Sequence, residues 1–155
     1  MNTAINRIRK RLTLITLFFL VPIISKATAT DVEANKKIVI AFYETAFNQH
    51  KPSEAMEKYI GDKYIQHNPF VADGKKPFID FFLDFQRKHP KARAYIKRLI
   101  ADGDLVVIHV HSVLDDSDKG RAVMDIFRLE KSKIIEHWDV GQPIPEKSAN
   151  NNTMF

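Results

Sequence analysis

Leu105–Leu114 (LVVIHVHSVL) decides the fold. It is rich in β-branched residues, follows Asp102-Gly103, and gives way to a polar loop, Asp115–Gly120. That is the pattern of a central strand entered through a tight hairpin. Its neighbours share the texture. Arg93–Ala101 precedes the hairpin, and Ala122–Glu130 and Lys133–Val140 follow the loop. Four strands in succession with short connections predict an antiparallel meander.

Upstream the period changes. Thr30-x-x-Glu33 has the form of a capping box. Ile38, Ala41, Phe42, Thr45 and Ala46 recur at helical spacing, which predicts a first helix reaching about Asn48. Pro52 suits the first turn of a second helix, with Gly61 as its stop. Tyr64–His67 reads as a short strand ended by Asn68-Pro69. A third helix is expected from Pro77 to His89, carrying a stripe of Phe78, Phe81, Phe82 and Phe85. Such a stripe reads first as core, with Phe82 also a candidate to line a pocket. Helices followed by a meander make an α+β domain, its helices on one face of a bent sheet. Gly141–Phe155 reads as a tail without periodicity.

The N-terminus has a different character. Arg7, Arg9, Lys10 and Arg11 precede the apolar run Leu12–Ile24, and Ala27-Thr28-Ala29 offers small residues for cleavage. This is the anatomy of a secretory signal. The run is short of the roughly 20 apolar residues that span a bilayer. Residues 1–29 are therefore expected to direct export and be removed near Ala29, leaving 30–155 as the working domain in the periplasm or outside the cell. Membrane contact is expected only through this segment, where it stays uncleaved. Residues 1–29 hold five basic side chains and no acidic one, so the chain's 24 basic and 19 acidic residues become 19 of each after removal. Nucleic-acid binding, which rests on a net basic surface, thereby loses its main support in the sequence and is not expected. The chain has no cysteine, which excludes disulfides and thiolate chemistry.

Polar residues stand where strands should be apolar. Asp125 shares a strand face with Val123, Phe127 and Leu129. A carboxylate there needs a partner or a shifted pKa. Either it pairs with Arg128, Arg98 or a backbone donor, or it serves as a general acid/base. His109 and His111 lie on one face of the strongest strand, and the hairpin register is expected to bring one of them near Asp125. His67 stands at the end of an element, where site residues are often presented. His137 and Asp139 share a face of the last strand, opposite Trp138. By donor type, His67, His109 or His111, His137 and a carboxylate also suit a metal ion.

Tyr64-Ile65-Gln66-His67-Asn68-Pro69 with Gly74, Gly103-Asp104-Leu105-Val106 with His109 and His111, Asp125-Ile126-Phe127-Arg128, and Lys133–Val140 with Gln142 together resemble the SnoaL-like family. That family is the polyketide cyclase-like branch of the nuclear transport factor 2-like superfamily. The resemblance implies a cone of helices against a curved, mostly antiparallel sheet, with a central pocket and commonly a homodimer. The family's cyclases close rings by intramolecular aldol condensation with no metal and no organic cofactor, using an aspartate as acid/base beside a histidine. The best match for that aspartate is Asp125 and for the histidine His109, with His67 as a further catalytic candidate. His137, Asp139, His111, Asn68, Trp138 and Phe82 are the expected pocket lining.

The implied function is acid/base chemistry of the aldol or enolisation type on a small carbonyl compound. A non-catalytic small-molecule-binding protein of the same fold is the alternative. If residues 1–29 are a cleaved signal, the intact mass of protein recovered from the exported fraction will match a chain beginning near Thr30. Recovery of the full-length mass from the cytoplasm would overturn export.

Overall fold

A computed structural model describes residues 29–155. Of the expected signal segment, residues 1–29, all but Ala29 lie outside the described residues. The elements are α1 (Ala29–Tyr43), continued by a π-helical turn (Glu44–Asn48), then α2 (Pro52–Tyr59), β1 (Ile60–Gln66), α3 (Lys75–Lys88), β2 (Arg93–Asp102), β3 (Leu105–Val113), β4 (Arg121–Glu130) and β5 (Lys133–Pro143). The sheet runs in the order β1-β5-β4-β3-β2, with β1 parallel to β5 and every other pair antiparallel. The α+β architecture is as expected, with three helices on the inner face of a five-stranded sheet.

Amphipathic spacing explains the helices. On α1 and its π extension, Val39, Phe42, Tyr43 and Ala46 are all buried, one stripe at i, i+3, i+4 and i+7. Pro52 opens α2, where Ala55 and Met56 are buried. Along α3, Phe78 is buried and Phe82 packs partly buried beside it, while Phe81 remains about half exposed. The aromatic stripe is therefore split between core and surface.

On β3 the core side is Val106, Ile108 and Val110, each almost fully buried. It continues across β4 through Asp125, Phe127 and Leu129 and across β5 through His137. The other face carries, in one cross-strand row, Ile100, Val107, Ile126 and Trp138.

Two features of the strands differ from expectation. Gly61 does not stop α2 but lies inside β1, where a Cβ would stand 2.9 Å from Ile135 Cγ2. The absence of a side chain lets β1 approach β5. β5 also runs on through Gly141 to Pro143, residues expected in the tail. Pairing of Gly141 with Val123 and Gln142 with Ala122 continues the ladder despite poor local β-propensity.

Phe42 is the centre of the core, with ring centroids of Phe47, Phe78 and Phe127 at 6.1, 5.8 and 5.7 Å. It joins helices to sheet. Phe42→Ala is expected to cost about 3–5 kcal/mol, seen as a lowered urea midpoint at unchanged slope.

Candidate active site

The polar group inside the core is built from β4, β5, β1 and α1. Asp125 on β4 is 5 % exposed and His137 on β5 is 7 % exposed. Asp125 lies directly across the ladder from Asp139, and His137 lies across from Phe127, so all four side chains share the inner face. His137 Nε2 is 2.9 Å from Asp125 Oδ1. The Tyr43 hydroxyl, from α1, donates to Asp125 Oδ2 at 2.6 Å. Both oxygens of the buried carboxylate thus have partners, as burial requires.

β1 supplies the second layer. Gln66 aligns with His137 in the parallel pairing, and Gln66 Oε1 is 2.8 Å from His137 Nδ1. Just past the strand, Asn68 Nδ2 donates to both oxygens of Asp139, at 2.8 and 2.9 Å. His137 is also sandwiched among rings, stacked on Phe127 at 4.8 Å and on Tyr64 at 6.4 Å. Asp125, His137 and Asp139 offer polar atoms within 4.8 Å of one another. Asp125 already engages His137 and Tyr43, and Asp139 engages Asn68.

Burial and the neighbouring Asp125 charge push the Tyr43 phenol far up, so it stays protonated and serves as a hydrogen-bond donor. The Tyr64 phenol moves the same way, again through burial first and Asp125 next.

The structure separates the expected site residues into two groups. Asp125, His137, Asp139 and Asn68 come together. His109 does not join them. Ile108, not His109, lies across from Asp125, and His109 lies across from Met124 on the opposite face. There its Nδ1 meets Arg98 at 3.1 Å and its ring lies 5.3 Å from that of Phe155. His111 is on that outer face too, bonded to the Lys119 carbonyl at 2.8 Å. The proximity of the H-x-H pair to Asp125 is thus corrected by a register offset of one residue, which moves a side chain to the other face of a sheet.

His67 is likewise outside the group. It is exposed, stacked on Trp138 at 4.6 Å, with Nε2 2.9 Å from Glu136 Oε1. Trp138 therefore braces the outer face rather than lining the inner one. Asp125 also pairs with neither Arg128 nor Arg98; Arg128 bonds Glu136 instead. Phe82 sits against Phe47 at 4.9 Å, in the aromatic layer between helices and sheet. The histidines that a metal reading gathers thus fall on different faces.

Tyr43 and Gln66 were not singled out in the sequence. Tyr43 follows directly on the stripe residue Phe42, which hid it among core aromatics. Its only distinguishing mark is a hydroxyl on a buried helical face, which needs an acceptor.

With this geometry fixed, the comparisons identify the family. The sequence profile of the SnoaL-like domain matches residues 39–137. The chain belongs to the SnoaL-like domain family. Among solved structures, the fold is similar to a Bacillus cereus protein named as a candidate polyketide cyclase, at TM-score 0.64 and 18 % identity, covering 74 % of this chain and 78 % of that one. It is also similar to a SnoaL-like protein of unknown function from Burkholderia thailandensis, at TM-score 0.59 and 14 % identity, covering 76 % of this chain and 99 % of that one. A SnoaL-like candidate polyketide cyclase from Jannaschia matches at TM-score 0.57 and 14 % identity, over 76 % and 91 % of the two chains. At these identities the likeness concerns the fold. No curated protein sequence matches this SnoaL-like chain.

The outer-face network makes its own prediction. Hydrogen bonds from His67 and Arg128 hold the Glu136 carboxyl below its ordinary value near 4.5. The unfolded chain then takes up that proton at higher pH than the folded one, so this contribution is present above about 4.5 and lost as pH falls below it. Glu136→Gln is expected to flatten the acid limb of a plot of stability against pH, measured by urea unfolding between neutral pH and about 3.

Proposed function

We propose that this SnoaL-like domain is an acid/base enzyme of the aldol or enolisation type, acting on a small carbonyl compound. The supporting observation is the buried Asp125–His137 pair, hydrogen-bonded at 2.9 Å and flanked by Asp139. A carboxylate and an imidazole in a semi-apolar setting, beside a second carboxylate, are the parts needed to remove a proton α to a carbonyl and return one to oxygen. A donor in such a setting stabilises a developing enolate oxygen more strongly than water does. Asp139 is more exposed than the pair, and its side is the proposed approach for a ligand.

The roles follow from position. Asp125 and His137 transfer the proton. Tyr43 donates to the second Asp125 oxygen, steadying its charge and orientation. Asp139, directly across the ladder, completes the polar floor. His109 and His67, on the outer face, take no part in proton transfer. An exported enzyme of this kind would meet compounds outside the cytoplasm, which fits scavenging or detoxification better than biosynthesis.

Deuterium exchange at carbon α to a carbonyl, followed by NMR in heavy water over a panel of small ketones and aldehydes, tests this directly. The wild-type chain is expected to accelerate exchange, and Asp125→Asn to lower the rate by about 100-fold or more while remaining folded. Undiminished exchange in Asp125→Asn sinks the assignment. Equal ligand binding by both forms without exchange would favour a non-catalytic binding protein instead.

A further inference from the structure

The segment Gln66-His67-Asn68-Pro69-Phe70 carries two side-chain amides whose orientations the backbone determines. The Asn68 backbone N–H donates to Gln66 Oε1 at 3.0 Å. The Phe70 backbone N–H donates to Asn68 Oδ1 at 2.9 Å. A backbone N–H can only donate, so each must face an amide oxygen. Neither amide can be turned over without setting N–H against N–H.

The far ends of these contacts bear on the Asp125–His137 group. The Gln66 oxygen that accepts from Asn68 is the one that faces His137 Nδ1 at 2.8 Å. An oxygen acceptor requires the proton on Nδ1. The Asn68 nitrogen, turned away from Phe70, is the one that donates to both oxygens of Asp139.

We infer that Gln66 is a positioning residue that holds His137 in its Nδ1-protonated form and thereby gives the Asp125–His137 pair one exchangeable proton. With Nδ1 protonated, a neutral His137 turns a bare Nε2 toward Asp125 Oδ1, 2.9 Å away. Against an ionised Asp125, two lone pairs would meet. A proton must lie between them, formally on the imidazole or on the carboxyl. The Tyr43 hydroxyl cannot supply it, because it already donates to Oδ2 and burial keeps it protonated.

The charged and titratable groups facing His137 from each packed element agree with this. Asp125 comes from β4, Asp139 from β5 itself, Tyr64 from β1 and Tyr43, through Asp125, from α1. Two carboxylates directly opposite on neighbouring strands repel one another. A proton retained in the Asp125–His137 pair relieves that repulsion, and the Asn68 amide relieves more. Such a pair suits a neutral carbonyl ligand, which can accept the shared proton.

This inference rests on reading Asp125 and His137 as the proton-handling pair, but its test needs no substrate. Nitrogen-15 NMR of the histidine side chains, with His137 assigned through His137→Gln, reports which ring nitrogens carry protons. In the full folded chain at neutral pH, His137 is expected to show a protonated Nδ1. Gln66→Leu is expected to remove that signal in favour of the Nε2-protonated tautomer, and Gln66→Glu, which keeps an oxygen acceptor, to restore it. A wild-type His137 with a bare Nδ1 overturns the inference, as does a Gln66→Leu spectrum identical to wild type at His137. Should Gln66→Leu fail to fold, the wild-type and Gln66→Glu spectra still decide, since a bare Nδ1 in both refutes it. Failure of the exchange assay with an Nδ1-protonated His137 would count against the enzymatic reading alone.

Discussion

A carboxylate sealed under the helices governs the arrangement around it. Asp125 has almost no access to water, and a charge in that position must be neutralised or fully hydrogen-bonded. Three elements contribute to that end. α1 provides the Tyr43 hydroxyl, β5 provides His137, and β1, by lying parallel to β5, provides the Gln66 oxygen that orients the imidazole. The close approach of β1 depends in turn on Gly61, where a Cβ would press against Ile135. The polar network and the sheet's edge pairing therefore depend on one another.

The two faces of the sheet do different work. The inner face holds the buried Asp125–His137 pair with Asp139 among mostly apolar side chains, with the rings of Phe127 and Tyr64 against His137 and the Tyr43 hydroxyl on Asp125. The outer face holds ion pairs and stacked rings: Glu136 between Arg128 and His67, His67 on Trp138, and the C-terminal Phe155 beside His109 and His111. Charged groups on the outer face keep water as a partner. Those on the inner face must find one another, which is why the proposed proton chemistry is assigned to that face.

The proposed chemistry follows from how few donors and acceptors this interior offers. His137 has Gln66 on one nitrogen and Asp125 on the other, and Asp125 has His137 and Tyr43 on its two oxygens. Each of these atoms already has a partner, so a proton shared by His137 and Asp125 is held within the pair. The backbone N–H groups of Asn68 and Phe70, which cannot change role, anchor the arrangement at its outer end.

The sequence by itself determined the order and type of the elements, since helical and alternating periods record which side of each element is buried. It also determined that Asp125 is out of place among apolar neighbours and that His137 and Asp139 share a face with one another. It did not determine which histidine Asp125 would meet. His109 and His137 are both on strands beside β4, and a shift of one residue in pairing exchanges inner for outer face. Only the tertiary register, Asp125 across from Ile108 on one side and from Asp139 on the other, chose His137. Tyr43 and Gln66 were illegible for a related reason. Tyr43 lies 82 residues from Asp125 and Gln66 lies 71 from His137, and no local period records a contact made only when helix, edge strand and meander close on the same buried charge.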